Sequence, residues 1–158
     1  MELAERLVAL LKEKGMTVSF AESCTGGLIS KSITDVSGAS SCFGYGFVTY
    51  ANEAKMKLLG VWEDALEQFG AVSEPVAVLM SRGARKKSGS DIAVSVTGIA
   101  GPGGGSKEKP VGLVFISLST KHGTICRKFN FSGSRDEIRN RTCEAAISMA
   151  VSYLENLS

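Results

Sequence analysis

Residues 18–27 read V-S-F-A-E-S-C-T-G-G, and this stretch decides the fold that we predict. It has the pattern of a short buried strand that passes through a glycine-bearing turn into a helix starting near Gly26 or Gly27. Ser23 and Thr25 then lie at the junction, where free backbone N–H groups at a helix start attract anions. Two interpretations stay open here. Either hydroxyl caps the helix, which is the usual role of Ser or Thr at such a position, or it is presented to a ligand.

Helix and strand patterns alternate on both sides of this stretch. Four segments have the apolar pattern of strands, namely residues 43–50, 92–96, 111–119 and 124–131. Helices are expected over residues 2–14, after Gly27, from an Asn52 N-cap, and after a capping box that begins at Ser134. This order predicts a single α/β domain over residues 1–158, folded as a three-layer α/β/α sandwich with a mixed sheet.

The composition is that of an ordinary globular protein, with 44% hydrophobic and 22% charged residues in a chain of 158. A net charge of +2 gives no reason to expect a nucleic-acid partner, and no apolar run is long enough to span a bilayer. The N-terminal residues do not resemble a signal peptide. We therefore expect a cytoplasmic protein with no membrane and no nucleic-acid partner.

The cysteines and the histidine favour reduced thiols over a metal site. The four cysteines, at positions 24, 42, 126 and 143, include no C-x-x-C pair, and the single histidine, His122, has no cysteine at zinc-ligand spacing. Neither a metal nor a cofactor is predicted. His122 also lies in a predicted hairpin turn, so a nucleophilic Ser23 would need a base other than histidine.

Tyr50 and Lys55 are the candidates for that base. Tyr50 ends the aromatic strand and Lys55 falls in the first turn of the next helix. Both positions lie at strand ends, where open α/β sheets bind ligands. A lysine in a first helical turn opposes the helix dipole, which points to a functional role. The alternative is that Lys55 is a surface lysine and Tyr50 a core aromatic residue.

A second unusual stretch, T-G-I-A-G-P-G-G-G-S at residues 97–106, directly follows a predicted strand. It matches neither the phosphate-binding loop G-x-x-x-x-G-K nor the dinucleotide fingerprint G-x-G-x-x-G. A glycine-rich loop after a buried strand can wrap a phosphate or a sugar with its N–H groups. The alternative is a mobile surface loop.

Two further features concern the surface. Gly44 and Gly46 leave one strand face bare, which lets another backbone, a ligand or a second subunit approach, so a homo-oligomer is considered. A basic cluster over residues 82–87 ends the helix that begins after Ser73. Cations suit the negative end of the helix dipole, and we interpret this cluster as a solvated helix end.

Five stretches together resemble the CinA C-terminal domain family. They are A-E-S-C-T-G-G at 21–27, V-T-Y-A-N-E-A-K at 48–55, G-A-V-S-E-P-V-A at 70–77, T-G-I-A-G-P-G-G-G at 97–105 and K-P-V-G at 109–112. The resemblance covers nearly the whole chain and keeps the motif order. One departure is Ala51, where the family's Y-S-N would place Ser. The family contains stand-alone nicotinamide-nucleotide amidohydrolases, and its longer members carry an extra N-terminal domain.

The resemblance implies a fold related to anticodon-binding domains. It also implies a pyridine-nucleotide salvage enzyme that hydrolyses nicotinamide mononucleotide to nicotinate mononucleotide and ammonia without a metal. The family's catalytic Ser, Tyr and Lys fall on Ser23, Tyr50 and Lys55. Its ligand loops fall on residues 25–27 and 97–105. Our own interpretation adds Arg135 or Arg139 as a phosphate partner. The full set of substrate-binding positions that we assign is Thr25, Gly26, Gly27, Asn52, Thr97, Gly98, Gly101, Gly103, Gly104, Arg135 and Arg139.

Our interpretation is therefore an amidohydrolase in which Ser23 attacks the carboxamide carbon. Lys55, with Tyr50 as relay or partner, takes the serine proton and returns it to the departing ammonia. The alternative is a catalytically silent nucleotide-binding or assembly module that kept the pocket. Both interpretations predict ligand binding, but only the amidohydrolase releases ammonia.

Overall fold

The structure, a computed structural model, describes residues 2–157. Within this range the α-helices are α1 (Leu3–Lys14), α2 (Leu28–Thr34), α3 (Asn52–Leu59), α4 (Glu63–Phe69), α5 (Glu74–Ser88) and α6 (Arg135–Glu155). The strands are β1 (Val18–Glu22), β2 (Phe43–Val48), β3 (Ile92–Gly98), β4 (Leu113–Thr120) and β5 (Gly123–Asn130). The predicted strand segments are confirmed, with ends shifted by a few residues.

The strands form one mixed sheet in the order β2-β1-β3-β4-β5. β1 pairs in parallel with β2 and β3, whereas β4 pairs antiparallel with β3 and β5. Glu22 pairs with both Val48 and Val96, so the three parallel strands end at the same edge of the sheet. The segments that follow these strands therefore meet at this edge, and they carry Ser23 and Tyr50.

Helices cover both faces of the sheet, which confirms the predicted three-layer arrangement. α1, α2 and α6 pack on one face around a core that includes Leu11, Phe20 and Ile147. α3, α4 and α5 pack on the other face, where Leu59 and Met80 are buried. Burial of such side chains stabilises the fold by roughly 25 cal/mol per Å² of apolar surface.

Gly83 lets α3 approach α5 closely. A Cβ atom at Gly83 would lie 1.9 Å from the carbonyl oxygen of Leu59, at the end of α3. Any larger side chain would therefore push α3 away from α5. Because α3 carries Lys55, this contact helps to set the distance between Lys55 and the sheet.

The helix starts differ from the sequence expectation at Asn52. Asn52 is the first residue of α3, and the N-cap is Ala51, with no side-chain cap hydrogen bond. The capping box of α6 is confirmed, since Ser134 accepts from the Glu137 amide and the Glu137 side chain accepts from Ser134.

No helix within residues 2–157 is long and apolar enough to cross a membrane.

Candidate active site

Ser23 and Lys55 meet at the carboxyl edge of the parallel strands. Lys55 Nζ donates a hydrogen bond to Ser23 Oγ at 3.0 Å. Both residues are buried, with 8% of Ser23 and 1% of Lys55 exposed. The alternative of a surface lysine at position 55 is therefore wrong.

Two backbone carbonyls complete the surroundings of the lysine amine. Lys55 Nζ donates to the carbonyl oxygen of Thr49 at 2.7 Å and to that of Tyr50 at 3.3 Å. A neutral amine has two N–H donors and one lone pair. When the two carbonyls accept the two N–H groups, the lone pair faces Ser23 Oγ. The three partners thus suit a neutral lysine that accepts the proton of the serine hydroxyl.

Burial also favours the neutral amine. Desolvation lowers the pKa of Lys55 from 10.5 to about 8, because removing water disfavours the ammonium form. None of the ion pairs formed by residues 2–157 includes Lys55, so no carboxylate reverses this effect. A useful fraction of the side chain is therefore neutral near physiological pH, as a general base requires.

A buried carboxylate holds the turn that follows Ser23. The Glu22 side chain accepts from Thr25 Oγ1 at 2.7 Å, from the amides of Ile29 and Ser30 at 2.9 Å, and from Ser30 Oγ at 2.6 Å. A buried carboxylate is costly unless it is hydrogen-bonded, and these four bonds satisfy it. Glu22 thereby ties the turn to α2. The sequence analysis missed this role, although an acidic residue in an apolar strand was a signal.

Arg139 holds the same turn from α6. Its Nε donates to the Cys24 carbonyl at 3.1 Å, and its Nη2 donates to the Thr25 carbonyl at 2.8 Å. The structure therefore brings Arg139 to the site, but two of its nitrogen atoms bind the protein backbone. Arg139 is not among the residues that line the cleft described below, so its predicted role as a phosphate partner stays a prediction.

The hydroxyl groups of Ser23 and Thr25 do not cap α2. The N-cap of α2 is Gly27, in the left-handed conformation with φ of 104°, and it makes no side-chain cap bond. The absence of a Cβ atom permits this conformation. Ser23 contacts Lys55 and Thr25 contacts Glu22 instead, so the capping interpretation is wrong for both residues.

A cleft of about 190 Å³ opens over the Ser23–Lys55 pair. Of the predicted site residues, those that line it are Ser23, Tyr50, Asn52, Lys55, Thr97, Gly98 and Arg135. Cys24, Ala71, Val72 and Ala100 line it too, and the sequence analysis did not assign them. Ala71 and Val72 lie in the stretch G-A-V-S-E-P-V-A, so the motif that carried the resemblance contained the signal for these two.

Tyr50 lies at the mouth of the cleft. It is 65% exposed and is therefore not a core aromatic residue. Its hydroxyl accepts a hydrogen bond from Arg135 Nη2 at 3.4 Å. Within residues 2–157, this hydroxyl forms no hydrogen bond with Ser23 or with Lys55. Arg135 Nη1 donates to the Gly101 carbonyl at 2.7 Å. The geometry puts the phenol beside a cation at the entrance, and a proton relay through Tyr50 stays a prediction.

The glycine-rich loop reaches the cleft only at its first residues. Thr97 Oγ1 donates to the Ala71 carbonyl at 2.9 Å, so this hydroxyl is already engaged. Gly101 is buried with φ of 76°, and a Cβ atom there would lie 2.4 Å from Val111 Cγ1. Gly103 and Gly104 are exposed and lie outside the cleft lining. A ligand that touches them must extend out of the cleft.

Cys24, His122 and possible metal ligands were also considered as sources of the chemistry. Burial raises the pKa of the Cys24 thiol to about 11, which keeps it uncharged and weakly nucleophilic. His122 is exposed in the β4–β5 hairpin, as predicted. Within the described chain, no group of three His, Cys, Asp or Glu side chains could hold a metal ion.

The fold and the site together define a class: an α/β/α protein with a buried, hydrogen-bonded serine–lysine pair at the carboxyl edge of its parallel strands. The sequence model of the CinA C-terminal domain family matches residues 1–154, and this chain belongs to that family. The family resemblance seen in the sequence is thereby confirmed.

Relatives of two lengths are similar to this chain. Nicotinamide-nucleotide amidohydrolase PncC of Escherichia coli (strain K12) is 51% identical, over 99% of this chain and 96% of that protein. A putative competence-damage inducible protein of Caldicellulosiruptor bescii is 55% identical, over 93% of this chain but only 36% of that protein. This chain thus spans about a third of the length of several curated relatives.

Solved structures share the fold closely. The crystal structure of the competence/damage inducible protein CihA from Agrobacterium tumefaciens has a TM-score of 0.94 at 44% identity, and the match covers 98% of this chain and 94% of that one. A competence damage-inducible protein A from Klebsiella pneumoniae has a TM-score of 0.95 at 29% identity.

Proposed function

We propose that this chain hydrolyses the carboxamide of nicotinamide mononucleotide, giving nicotinate mononucleotide and ammonia. The observation that carries the proposal is the buried contact of 3.0 Å between Lys55 Nζ and Ser23 Oγ. The name of the E. coli relative, which this chain matches over 96% of that protein, supports the substrate.

Hydrolysis proceeds through an ester on Ser23. Lys55 takes the hydroxyl proton while Ser23 Oγ forms a bond to the carboxamide carbon. The C–N bond then breaks, and Lys55 returns the proton to the leaving nitrogen, which departs as ammonia. Water attacks the ester with Lys55 again as base, nicotinate mononucleotide leaves, and Ser23 regains its proton.

The turn after Ser23 supplies donors for the oxyanion. The amide of Gly26 donates to the Ser23 carbonyl, whereas the amides of Cys24 and Thr25 have no acceptor within residues 2–157. Glu22 and Arg139 hold this turn in place through the bonds described above. We assign the amides of Cys24 and Thr25 to the oxygen that becomes negative during attack, because donors fixed in advance stabilise a transition state most strongly.

The size of the cleft supports one orientation of the substrate. Its volume of about 190 Å³ is below the roughly 300–1,000 Å³ typical of sites that enclose a whole drug-sized ligand. The pyridine ring and its carboxamide therefore enter the cleft, and the ribose and phosphate stay at the mouth. Arg135 lies there and is the phosphate partner that the geometry favours, through charge-assisted hydrogen bonds.

Ammonia release from nicotinamide mononucleotide by the purified protein tests the proposed function. We expect stoichiometric formation of ammonia and nicotinate mononucleotide. Binding of the nucleotide without ammonia release would instead support the silent nucleotide-binding module and overturn the proposal.

The pH profile should report the lysine base. Because Lys55 must be neutral to accept the serine proton, kcat/KM is expected to rise by about tenfold per pH unit below its pKa. The rise should level off near pH 8, where burial places the pKa of Lys55. Initial rates of ammonia release across the neutral and alkaline range measure the profile. A flat profile there would contradict the role of Lys55 as base.

Gly103→Val tests the contact between the glycine-rich loop and the substrate. A Cβ atom at Gly103 would meet nothing within 4 Å, so the fold should tolerate the change and the melting temperature should hold. A branched side chain would obstruct the ribose or phosphate, and KM should rise by roughly tenfold, equivalent to about 1.4 kcal/mol.

Gly104→Val is the comparison, because Gly104 has φ of 85°. That conformation costs a non-glycine residue about 1 kcal/mol or more, so this variant should lose stability as well. An unchanged KM in Gly103→Val would show that the loop does not touch the substrate.

A further inference from the structure

A groove rich in positive charge lies at the end of the sheet opposite the Ser23–Lys55 pair. It forms where the C-terminal end of α5 meets the β4–β5 hairpin, and its volume is about 610 Å³. Four cationic side chains line it, namely Arg82, Arg85, Lys86 and Lys121. The seven residues of β3 separate this groove from the cleft, a distance of roughly 20 Å. The groove is therefore a separate feature from the candidate active site.

These cations form no salt bridge within the described part of the chain. None of the ion pairs formed by residues 2–157 includes any of the four, and no Asp or Glu lines the groove. Asp91 lines an adjoining cavity with Arg85 and Lys121, but its carboxylate accepts from the amide and hydroxyl of Thr17. Four like charges in one groove exceed the net charge of +2 of the whole chain. Their mutual repulsion is a cost that a bound anion would remove.

The helix dipole does not account for the whole cluster. Arg85 and Lys86 lie in the last turn of α5, where cations are favourable, but Arg82 lies before that turn. Lys121 belongs to a different element, the hairpin between β4 and β5. The helix end thus explains two of the four cations, and tertiary structure brings Lys121 to the helix face that carries Arg82. The earlier interpretation of residues 82–87 as a solvated helix end therefore explains only part of this positively charged groove.

Two of the guanidinium groups are held in place. Arg82 Nε donates to Thr124 Oγ1 at 3.2 Å, and Arg85 Nε donates to the Asp91 carbonyl at 3.0 Å. The Nη groups of both arginines have no acceptor among residues 2–157. The two arginines are three residues apart on α5, so they lie on the same helix face. Fixed guanidinium forks of this kind match phosphate oxygens in a bidentate manner.

We propose that this groove is a second ligand site, which binds a small molecule through a pyrophosphate group. Two adjacent guanidinium forks suit two adjacent phosphates, and two lysines supply the remaining charge. The groove volume of about 610 Å³ lies within the range of ordinary ligand sites. The proposal does not depend on the activity proposed for the cleft.

Calorimetric titration with inorganic pyrophosphate at low ionic strength tests the site. The wild-type protein should bind it, and the double variant Arg82→Gln, Lys86→Gln should bind roughly 30-fold more weakly or worse, since two charged contacts are lost. The matched control Lys57→Gln, Arg127→Gln changes the net charge equally and should retain affinity. Arg135→Gln, which alters the mouth of the cleft, should also retain it.

Three results would overturn the proposal. The first is no pyrophosphate binding by the wild-type protein. The second is an equal loss in both double variants, which would show a general effect of net charge. The third is a loss in Arg135→Gln while the Arg82→Gln, Lys86→Gln variant still binds, which would place the pyrophosphate in the catalytic cleft. Equal melting temperatures establish that the variants are folded.

Discussion

Ser23→Ala should bind nicotinamide mononucleotide as the wild-type protein does and hydrolyse it on the order of 10³-fold more slowly or worse. The reason is that the ester intermediate cannot form without the hydroxyl oxygen, while the cleft keeps its shape. The change removes a single oxygen atom from a residue that is only 8% exposed. Initial rates of ammonia release measure the loss, and calorimetry on the inactive variant measures the affinity for intact substrate.

Two further measurements test whether Ser23, and not a neighbouring residue, is the nucleophile. Mass spectrometry of the wild-type protein under turnover should detect the nicotinoyl nucleotide ester on the peptide that contains Ser23, and the same peptide of Ser23→Ala should carry none. Activity near wild type in Ser23→Ala would refute the assignment. If Cys24→Ala were then inactive, the nucleophile would be the neighbouring thiol, despite the raised pKa that burial gives it.

Lys55→Arg should be nearly as inactive as Lys55→Met, with a loss of kcat on the order of 10³-fold. Arginine keeps the positive charge but has a pKa above about 12, so it cannot give up a proton and act as a base. Methionine has a similar length and no proton to exchange. If Lys55 served only as an electrostatic contact, the arginine variant would retain much of its kcat and the methionine variant would not.

Melting temperatures of the two variants distinguish a loss of catalysis from misfolding. The site of Lys55 is only 1% exposed, so the larger arginine can disturb the packing, and the melting temperature reports this. Methionine fits the space but removes the donors to the carbonyls of Thr49 and Tyr50, which costs about 1–3 kcal/mol. A folded Lys55→Met variant with substantial kcat would move the base elsewhere, and Tyr50 and Glu53 would be the next candidates.

The elements around residues 18–27 were predictable because their patterns are local. The apolar run before Ser23 and the paired glycines after it identify a buried strand and a turn without reference to any distant residue. The positions of Ser23 and of the residues after β2 at one sheet edge also followed, since parallel strands end together. The N-cap at Asn52 was predicted wrongly, because capping depends on backbone angles that composition does not report.

Interpretations that depend on burial were not decided at the level of sequence. Lys55 has exposed neighbours along α3, and its only local signal is a place in the first helical turn, where a lysine opposes the helix dipole. That signal does not show whether the side chain is buried. Its burial is a tertiary property, because the amine lies against Ser23 after β1 and the carbonyls of Thr49 and Tyr50 after β2. Tyr50 shows the opposite case, since an aromatic residue at the end of a strand proved to be exposed.

The sequence by itself determined the strands, the helices and their order, the mixed three-layer fold and the family, because these depend on periodicity and on motifs within short segments. Only the tertiary structure decided which of the predicted site residues meet and how they are buried and hydrogen-bonded. The Ser23–Lys55 contact joins residues 32 positions apart, and the bonds of Arg139 to the turn span more than 100 positions. The lowered pKa of Lys55 likewise comes from desolvation by atoms of several elements, a property that no single segment of the chain contains.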